Sequence, residues 1–363
     1  MLKKILYQIH SLPHRRVFKS YTERDDLNQM IMGPPPEVID GALEDYSGFG
    51  ISNIKVYSNA QEAQRIVDSF NPDVFVTADF PKMVSTPAGC KKVYAGHGMM
   101  PGHILGLVSY DSNSRWNDFD LHCGATKRFE EFIHYVTRKK HEILTNALGQ
   151  FDLVSNPKYH IPQEGNVLFN NSKPSILFCG FCCKDNSDFR LHNEDYFKML
   201  LELEKLAKKH DWLVIVKPRQ VIGKVINFLK HISWGSKYIS VYPKLVSSEH
   251  LHFIDASANT YSYLSSDIIM CNGCSTLEIE ACIAKKPLVI FRTQAGRDYD
   301  PYSTVSSGAA SYIDNIEKTE GVIKKILSGE ESRTNEQKKL IDSMNIKTDG
   351  LSYKRVQDRL KAL

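Results

Sequence analysis

Three stretches carry the residue types most able to do chemistry. In KVYAGHGMM (91–99), His97 stands between Gly96 and Gly98 just where an apolar run ends. An imidazole there can take a proton near neutral pH, a contribution of about 10²–10⁴-fold where it is used. Flanking residues without side chains let the backbone turn and a substrate come close. In DWLVIVKPRQ (211–220), an apolar run delivers Lys217, Pro218 and Arg219 to its end, and a guanidinium there suits bidentate contact with phosphate. In CNGCSTLEIEACIAKKPLVIF (271–291), Asn272-Gly273 leads into Ser275-Thr276, with Glu278 and Glu280 following. Ser275 has the chemistry of an N-cap, a helix start offers amides to a phosphate, and an early carboxylate can accept from ribose hydroxyls. Each stretch also has a plain structural reading: a loop histidine, a solvated basic turn, and a capped crossover that binds nothing. Arg292 and Arg297 are further phosphate candidates, and they read as solvent-facing.

Positioning these groups needs strands that end where they sit. In the first half, strands are expected at Lys3–Ile9, Ile54–Tyr57, Asp73–Thr77, Lys92–Ala95 and Leu121–Cys123. A helix is expected at Asn59–Phe70, where Ala63, Ile66, Val67 and Phe70 share a face, and another over Phe129–Leu148 through Phe132, Ile133, Val136, Ile143 and Leu144. Residues 30–50, MIMGPPPEVIDGALEDYSGFG, read as a loop able to line an acceptor pocket. The proline, glycine and asparagine of 156–173 read as a linker. Beyond it, strands are expected at SILFCGF, WLVIVKP, YISVYP, SDIIMCN and PLVIF, the last closing the core. Helices are expected at Asn193–His210, near Val221–His231 and at STLEIEACIAKK. Alternating strands and helices predict two parallel α/β layers.

Composition narrows the function classes. A chain of 363 residues suits two domains, and 42% hydrophobic with 24% charged residues is ordinary for a globular protein. No window approaches the ~18 consecutive apolar residues of a membrane span. A net charge of +4 without an aromatic-rich basic stripe argues against nucleic acid as a partner. The basic cluster Arg138, Lys139, Lys140, His141 reads as a solvated face, with anionic lipid headgroups as the alternative. Eight cysteines show no disulfide framework, which suits a reducing cytosol. Cys179-x-x-Cys182 and Cys271-x-x-Cys274 form a four-thiolate pattern, but each pair ends an apolar strand and the pairs lie far apart in sequence, so no metal is expected.

In order and spacing, these motifs resemble the CDP-glycerol glycerophosphotransferase group of teichoic-acid and capsule-type enzymes. The resemblance runs from about residue 73 to 293. It rests on Gly96-His97-Gly98, NDFDLHCGATKRF, PSILFCGF, Lys217-Pro218-Arg219, Asp267, Ser275-Thr276 and Lys286-Pro287. The chain departs from the family where Gly96 replaces an aromatic residue and Arg219 a second histidine. Ser275-Thr276, Glu280-Ala281 and Lys286-Pro287 also resemble sugar-nucleotide glycosyltransferases of the same fold, in which such a glutamate binds the donor ribose. The resemblance implies an α/β protein of GT-B fold, with two Rossmann-like domains facing each other across a cleft. Residues 1–160 would form the acceptor domain and 172–334 the nucleotide-donor domain, with a final helix over 335–363 packing back on the first. His97 would be the base, with Gly96 and Gly98 at the acceptor side. Lys217, Arg219, Gly273, Ser275, Thr276, Glu280 and Arg292 would hold the donor. The expected partners are a nucleotide-diphosphate-linked donor, CDP-linked by preference, and a polymer or lipid-linked hydroxyl acceptor, with no cofactor, no metal and no nucleic acid. The place of action would be the cytoplasm, with peripheral contact at the inner face of the membrane. A UDP- or GDP-sugar glycosyltransferase, a UDP-sugar 2-epimerase and a catalytically silent nucleotide-binding protein are the alternatives.

Overall fold

The computed structural model describes residues 2–9, 18, 21–22, 27–35, 38–39, 42–43, 51–78, 84–96, 115–137, 141–156, 173–179, 190–218, 222–255, 263–272, 275–292, 300 and 302–363. The chain divides into two compact units, one of Met1–Ser155 with Ser343–Leu363 and one of Asn156–Asp342. Each is built on its own all-parallel sheet, which needs apolar strands because helices cover both faces.

The first unit has a seven-stranded sheet in the order β5-β2-β1-β6-β7-β8-β9. Its strands are β1 (Lys4–Gln8), β2 (Asn28–Gly33), β5 (Ile54–Val56), β6 (Val74–Thr77), β7 (Lys91–Ala95), β8 (Leu121–Cys123) and β9 (Glu142–Leu144). A two-residue antiparallel pair, β3 (Val38–Ile39) with β4 (Ala42–Leu43), stands apart from it. Helix α1 (Ala60–Phe70) is capped by the Asn59 side chain, which accepts from Glu62 N, and ends on Asn71 in the left-handed region. It buries Ala63, Val67 and Phe70 against Leu6, Met30, Met32 and Phe75 of the sheet. Helix α2 (Lys127–Val136), capped by Thr126, packs Phe129, Ile133 and Val136 on Tyr94, Trp116 and Phe119. A short α3 (Gln150–Val154) completes this part of the unit.

The second unit has a six-stranded sheet in the order β12-β11-β10-β13-β14-β15. Its strands are β10 (Ser175–Cys179), β11 (Leu213–Lys217), β12 (Leu251–Phe253), β13 (Ile268–Cys271), β14 (Leu288–Phe291) and β15 (Ser311–Ile313). The helices are α4 (Arg190–His210), α5 (Ile222–His231), α6 (Tyr242–Val246), α7 (Leu277–Ile283), α8 (Thr319–Leu327) and α9 (Thr334–Ser343). Alternate strand residues Ile176, Phe178, Val214, Val216, Ile268, Met270, Val289 and Phe291 share one core with Phe197, Leu200, Leu203 and Leu206 of α4. The other face meets α7, which lies against β14.

Five expectations are corrected. Residues 28–33, placed mostly in the acceptor-side loop, form β2, a buried strand paired on both sides. The helix expected over Phe129–Leu148 stops at Thr137, whose backbone turns extended (φ −108, ψ 142), and Ile143 and Leu144 belong to β9 instead. YISVYP is a turn running into α6, with Pro243 at the helix start, and the strand in that place is β12. PLVIF does not close the sheet, because β15 adds an edge beyond it. The last helix is two, α9 and α10 (Ser352–Ala362). In the first unit, α10 meets α3 through Asp152, whose carboxylate accepts from Ser352 N at 2.9 Å and Tyr353 N at 2.7 Å. Gln357 Nε2 donates to Tyr21 O at 2.7 Å. Most of the linker expected over 156–173, the cluster Arg138–Lys140 and residues 44–50 lie outside the described residues.

Candidate functional site

In an open parallel sheet, a ligand crevice forms beyond the carboxyl ends of the strands, where the strand order reverses. In the second unit the chain runs outward from β10 through β11 to β12, then returns and runs the other way from β13 through β14 to β15. The reversal falls between β10 and β13. Their register pairs Cys179 with Cys271, and Cys179 also pairs with Lys217 across β11. Lys217, Cys179, Cys271 and Asn272 therefore line one edge of the sheet at the reversal.

Lys217 is not the solvated turn residue its sequence suggests. It is 9% exposed, and its Nζ lies 3.5 Å from Pro218 O. Arg219 and Gly273 lie outside the described residues, as does Arg297. The pairing of Cys179 with Cys271 also corrects the argument from sequence distance, because the two CxxC motifs start on neighbouring strands; Cys182 and Cys274 are outside the described residues. Among the described residues, no group of three or more His, Cys, Asp or Glu side chains is placed to hold a metal ion.

Beyond β13, Ser275 closes the start of α7 in both directions. Its Oγ accepts from Leu277 N at 3.3 Å, and its own N donates to Glu278 Oε1 at 3.1 Å. This is the reciprocal capping of a Ser-x-x-Glu box, a pattern that Ser275-Thr276-Leu277-Glu278 carries in sequence. Thr276 follows in helical geometry without a side-chain cap bond. The helix is seven residues, shorter than STLEIEACIAKK suggested, because Lys285 turns left-handed and Lys286 N returns to Ala281 O.

Glu278 is wholly buried and receives Thr304 Oγ1 on Oε2 at 2.5 Å. Burial pushes its carboxyl above the usual range, while the Thr304 and Ser275 hydrogen bonds and the Arg292 charge pull the other way. Thr304 in turn lies 3.4 Å from Asp300, which also accepts from Val305 N and Ser306 N. Nothing in the sequence links Thr304 to Glu278. Glu280, the expected ribose carboxylate, sits on the same helix at 8% exposure.

Arg292 is corrected as well. Far from facing solvent, it is among the largest wholly buried side chains of the molecule. Its N donates to Ile313 O at 2.9 Å and its Nε to Asn272 O at 3.1 Å, so it ties the ends of β13, β14 and β15 together. Asp267 and Lys286, two residues of the family-like pattern, lie at the other end of the sheet. Asp267 accepts from Ser175 N and Oγ at 2.8 and 2.9 Å, and Lys286 Nζ donates to Ser265 O at 3.2 Å. They brace the fold rather than reach the crevice edge.

In the first unit the strand order reverses between β1 and β6, and β7 is the next strand along. His97 and Gly98, just past its end, lie outside the described residues. Gly96 donates its N to Cys123 O at 2.9 Å, and a Cβ at Gly96 would meet that oxygen at 3.0 Å. Its smallness serves the close approach of β7 to β8.

No protein-family model and no curated protein matches the sequence. The fold does have counterparts among solved structures. UDP-GlcNAc 2-epimerase from Neisseria meningitidis, bound to UDP-GlcNAc, superposes with a TM-score of 0.61 at 15% identity, over 99% of this chain and 100% of that one. The UDP-GlcNAc 2-epimerase of Methanocaldococcus jannaschii gives 0.59 at 14% identity, over 99% and 100%. A variant of the wall teichoic acid polymerase TagF gives 0.61 at 10% identity, over 99% and 88%. The chain therefore has two Rossmann-like α/β units of the GT-B kind. Among the described residues, no helix is long and apolar enough to cross a membrane.

Proposed function

We propose that the second unit binds a nucleotide-diphosphate-linked donor, CDP-linked by preference, and that the protein moves glycerol-phosphate or a glycosyl group from it to a hydroxyl acceptor in surface-polymer synthesis. The observation that carries this reading is the sheet edge at the β10–β13 reversal, where β11 ends at Lys217 and β13 is followed by Asn272, with the capped start of α7 at Ser275 next in the chain. The donor contacts are assigned to Lys217, Arg219, Gly273, Ser275, Thr276 and Glu280. Arg292 has a bracing role under them, since its Nε is taken by Asn272 O and its N by Ile313 O. His97, with Gly96 and Gly98 beside it, serves the acceptor. In glycerol-phosphate transfer, the acceptor oxygen attacks the phosphorus that bears glycerol. The pyrophosphate P–O bond breaks, CMP leaves, and the acceptor proton passes to His97. Positive groups around the pyrophosphate stabilise the charge that develops on the leaving group. The acceptor is a polymer or lipid-linked hydroxyl, reached by a protein working at the inner face of the membrane.

A second reading has its own support. The likeness to UDP-GlcNAc 2-epimerases covers these enzymes from end to end, whereas TagF is covered to 88%. On that reading the ligand is a UDP-sugar and no acceptor is needed.

Thermal unfolding with CDP, UDP, GDP and ADP in separate samples tests the shared premise. A ligand at about 100 times its Kd adds about 2.7 kcal/mol, which moves the midpoint by several degrees. Stabilisation by CDP supports the glycerol-phosphate reading, and phosphorus NMR of a CDP-glycerol incubation then detects release of CMP, abolished in His97→Ala. Stabilisation by UDP, followed by conversion of UDP-GlcNAc without an acceptor, selects the epimerase. Binding without turnover of either donor leaves a nucleotide-binding protein. No shift with any of the four overturns the reading.

A further inference from the structure

Asn272 is the first polar residue after the apolar run Ile268–Cys271, and it sits at the crevice edge of β13. It is 4% exposed, and its side-chain Nδ2 is buried without a hydrogen-bond partner among the described residues. Buried amide donors in native structures are nearly always paired, so an unpaired one calls for an explanation. Packing does not supply one: an apolar residue would continue the strand without stranding two N–H groups. Folding constraints do not supply one either, because the start of α7 is closed by Ser275 and Glu278, not by the Asn272 side chain.

The residue is also held from behind. Its carbonyl oxygen accepts from Arg292 Nε at 3.1 Å, and Arg292 is fixed in turn by its N–H to Ile313 O. Cys271 next to it is locked in register with Cys179 and Ile290. Asn272 thus stands on a rigid base at the strand reversal, and Lys217 ends β11 on the far side of β10 at the same edge of the sheet. Such preorganisation lowers the ordering cost of binding.

We propose that Asn272 is a donor-recognition residue, its Nδ2 hydrogen-bonding a phosphoryl oxygen of the bound nucleoside diphosphate, with Arg292 as the residue that positions it. The inference rests on the reading that the second unit takes a nucleotide-linked donor. It has a signature that a structural asparagine lacks: removal of the amide weakens the ligand and leaves the empty protein as stable as before.

The experiment measures affinity by titration calorimetry for CDP and UDP and for the nucleosides cytidine and uridine, together with the ligand-free unfolding midpoint. It compares wild type with Asn272→Ala, Asn272→Ser and Asn272→Asp. Loss of a hydrogen bond to a charged oxygen is expected to weaken the diphosphate roughly 10- to 100-fold in the alanine and serine variants. Asn272→Asp, the same shape with a carboxylate facing the phosphate, is expected to weaken it further. Nucleoside affinity and the ligand-free midpoints of the alanine and serine variants stay at the wild-type values. Wild-type diphosphate affinity in these two variants, in a protein that binds the nucleotide, overturns the inference alone. A lowered ligand-free midpoint in both makes Asn272 structural and also overturns it. Equal loss of nucleoside and diphosphate assigns the amide to the base, against the phosphate contact. If the wild-type protein binds none of the four ligands, the donor reading itself has failed.

Discussion

His122, on β8, has its ring wholly out of water among Tyr94, Trp116 and Phe119, with the His141 ring 5.1 Å away edge to face. Burial, and then the proximity of His141, lowers its pKa to about 3, with the Trp116 backbone weighing slightly the other way. An unfolded histidine titrates near 6.5. Between these values the unfolded chain holds more protons than the folded one, so stability is full above pH ~6.5 and falls as pH drops toward 3, by up to about 1.4 kcal/mol per unit. His122→Phe keeps an aromatic ring and removes the proton. Urea unfolding from pH 8 to 4.5 should give the two proteins similar stabilities at pH 8, with a growing advantage for the variant in acid. Parallel curves would show that the buried imidazole does not set the acid limb. At this scale the sequence is unevenly legible. Ser275 and the end of β11 were legible because capping and strand ends are local. The burial of Arg292 was not, because it depends on β15, a three-residue strand contributed from 311–313.

Asp152 shows how one element is pinned by another. Its carboxylate takes two N–H groups at the start of α10, where no residue of α10 itself supplies a cap. Four amides at a helix start lack partners within the helix, so a carboxylate there does the work of an N-cap from 200 residues away. Asp152→Ala should cost about 1–3 kcal/mol, and hydrogen exchange at the amides of Ser352 and Tyr353 should quicken more than at β1 or β6. Asp152→Asn, which retains one acceptor oxygen, should lose less. Equal exchange in all three proteins would mean that α10 is held by its apolar side chains alone. Long-range caps leave no mark in sequence, and the misplaced elements share a comparable cause. β2 is rich in methionine and runs into three prolines, so it lacks the β-branched signature of its neighbours. YISVYP alternates like a strand, yet buried Tyr238 and Tyr242 stand four residues apart and Pro243 opens a helix. Ile143 and Leu144 happen to continue the α2 period although the helix has already ended at Thr137. Strands made of continuous Val and Ile, such as β11 and β14, were placed within a residue.

The two units differ in how the chain builds them, and that difference can be measured. The second is one continuous stretch, Asn156–Asp342, with its own core from β10 to α8. The first needs both ends of the chain, because Ser343–Leu363 supplies α10 and the hydrogen bonds of Lys347 N to Asn146 Oδ1 and Gln357 to Tyr21. Expressed alone, residues 156–342 should therefore unfold as one cooperative transition in circular dichroism. Residues 1–155 should not, since the fragment leaves Asp152 and Tyr21 O facing water and exposes the apolar side chains that Val356 and Leu360 cover. Adding residues 343–363 to the fragment as a peptide should restore the transition, because the lost element docks through fixed partners rather than through chain continuity. If the donor reading is right, the nucleotide that stabilises the whole protein should raise the midpoint of 156–342 alone, since Lys217, Asn272, Ser275 and Glu280 all belong to that stretch. A folded 1–155 without its peptide would show instead that α10 is accessory. A second unit that folds but ignores the nucleotide would move the donor contacts off this sheet edge.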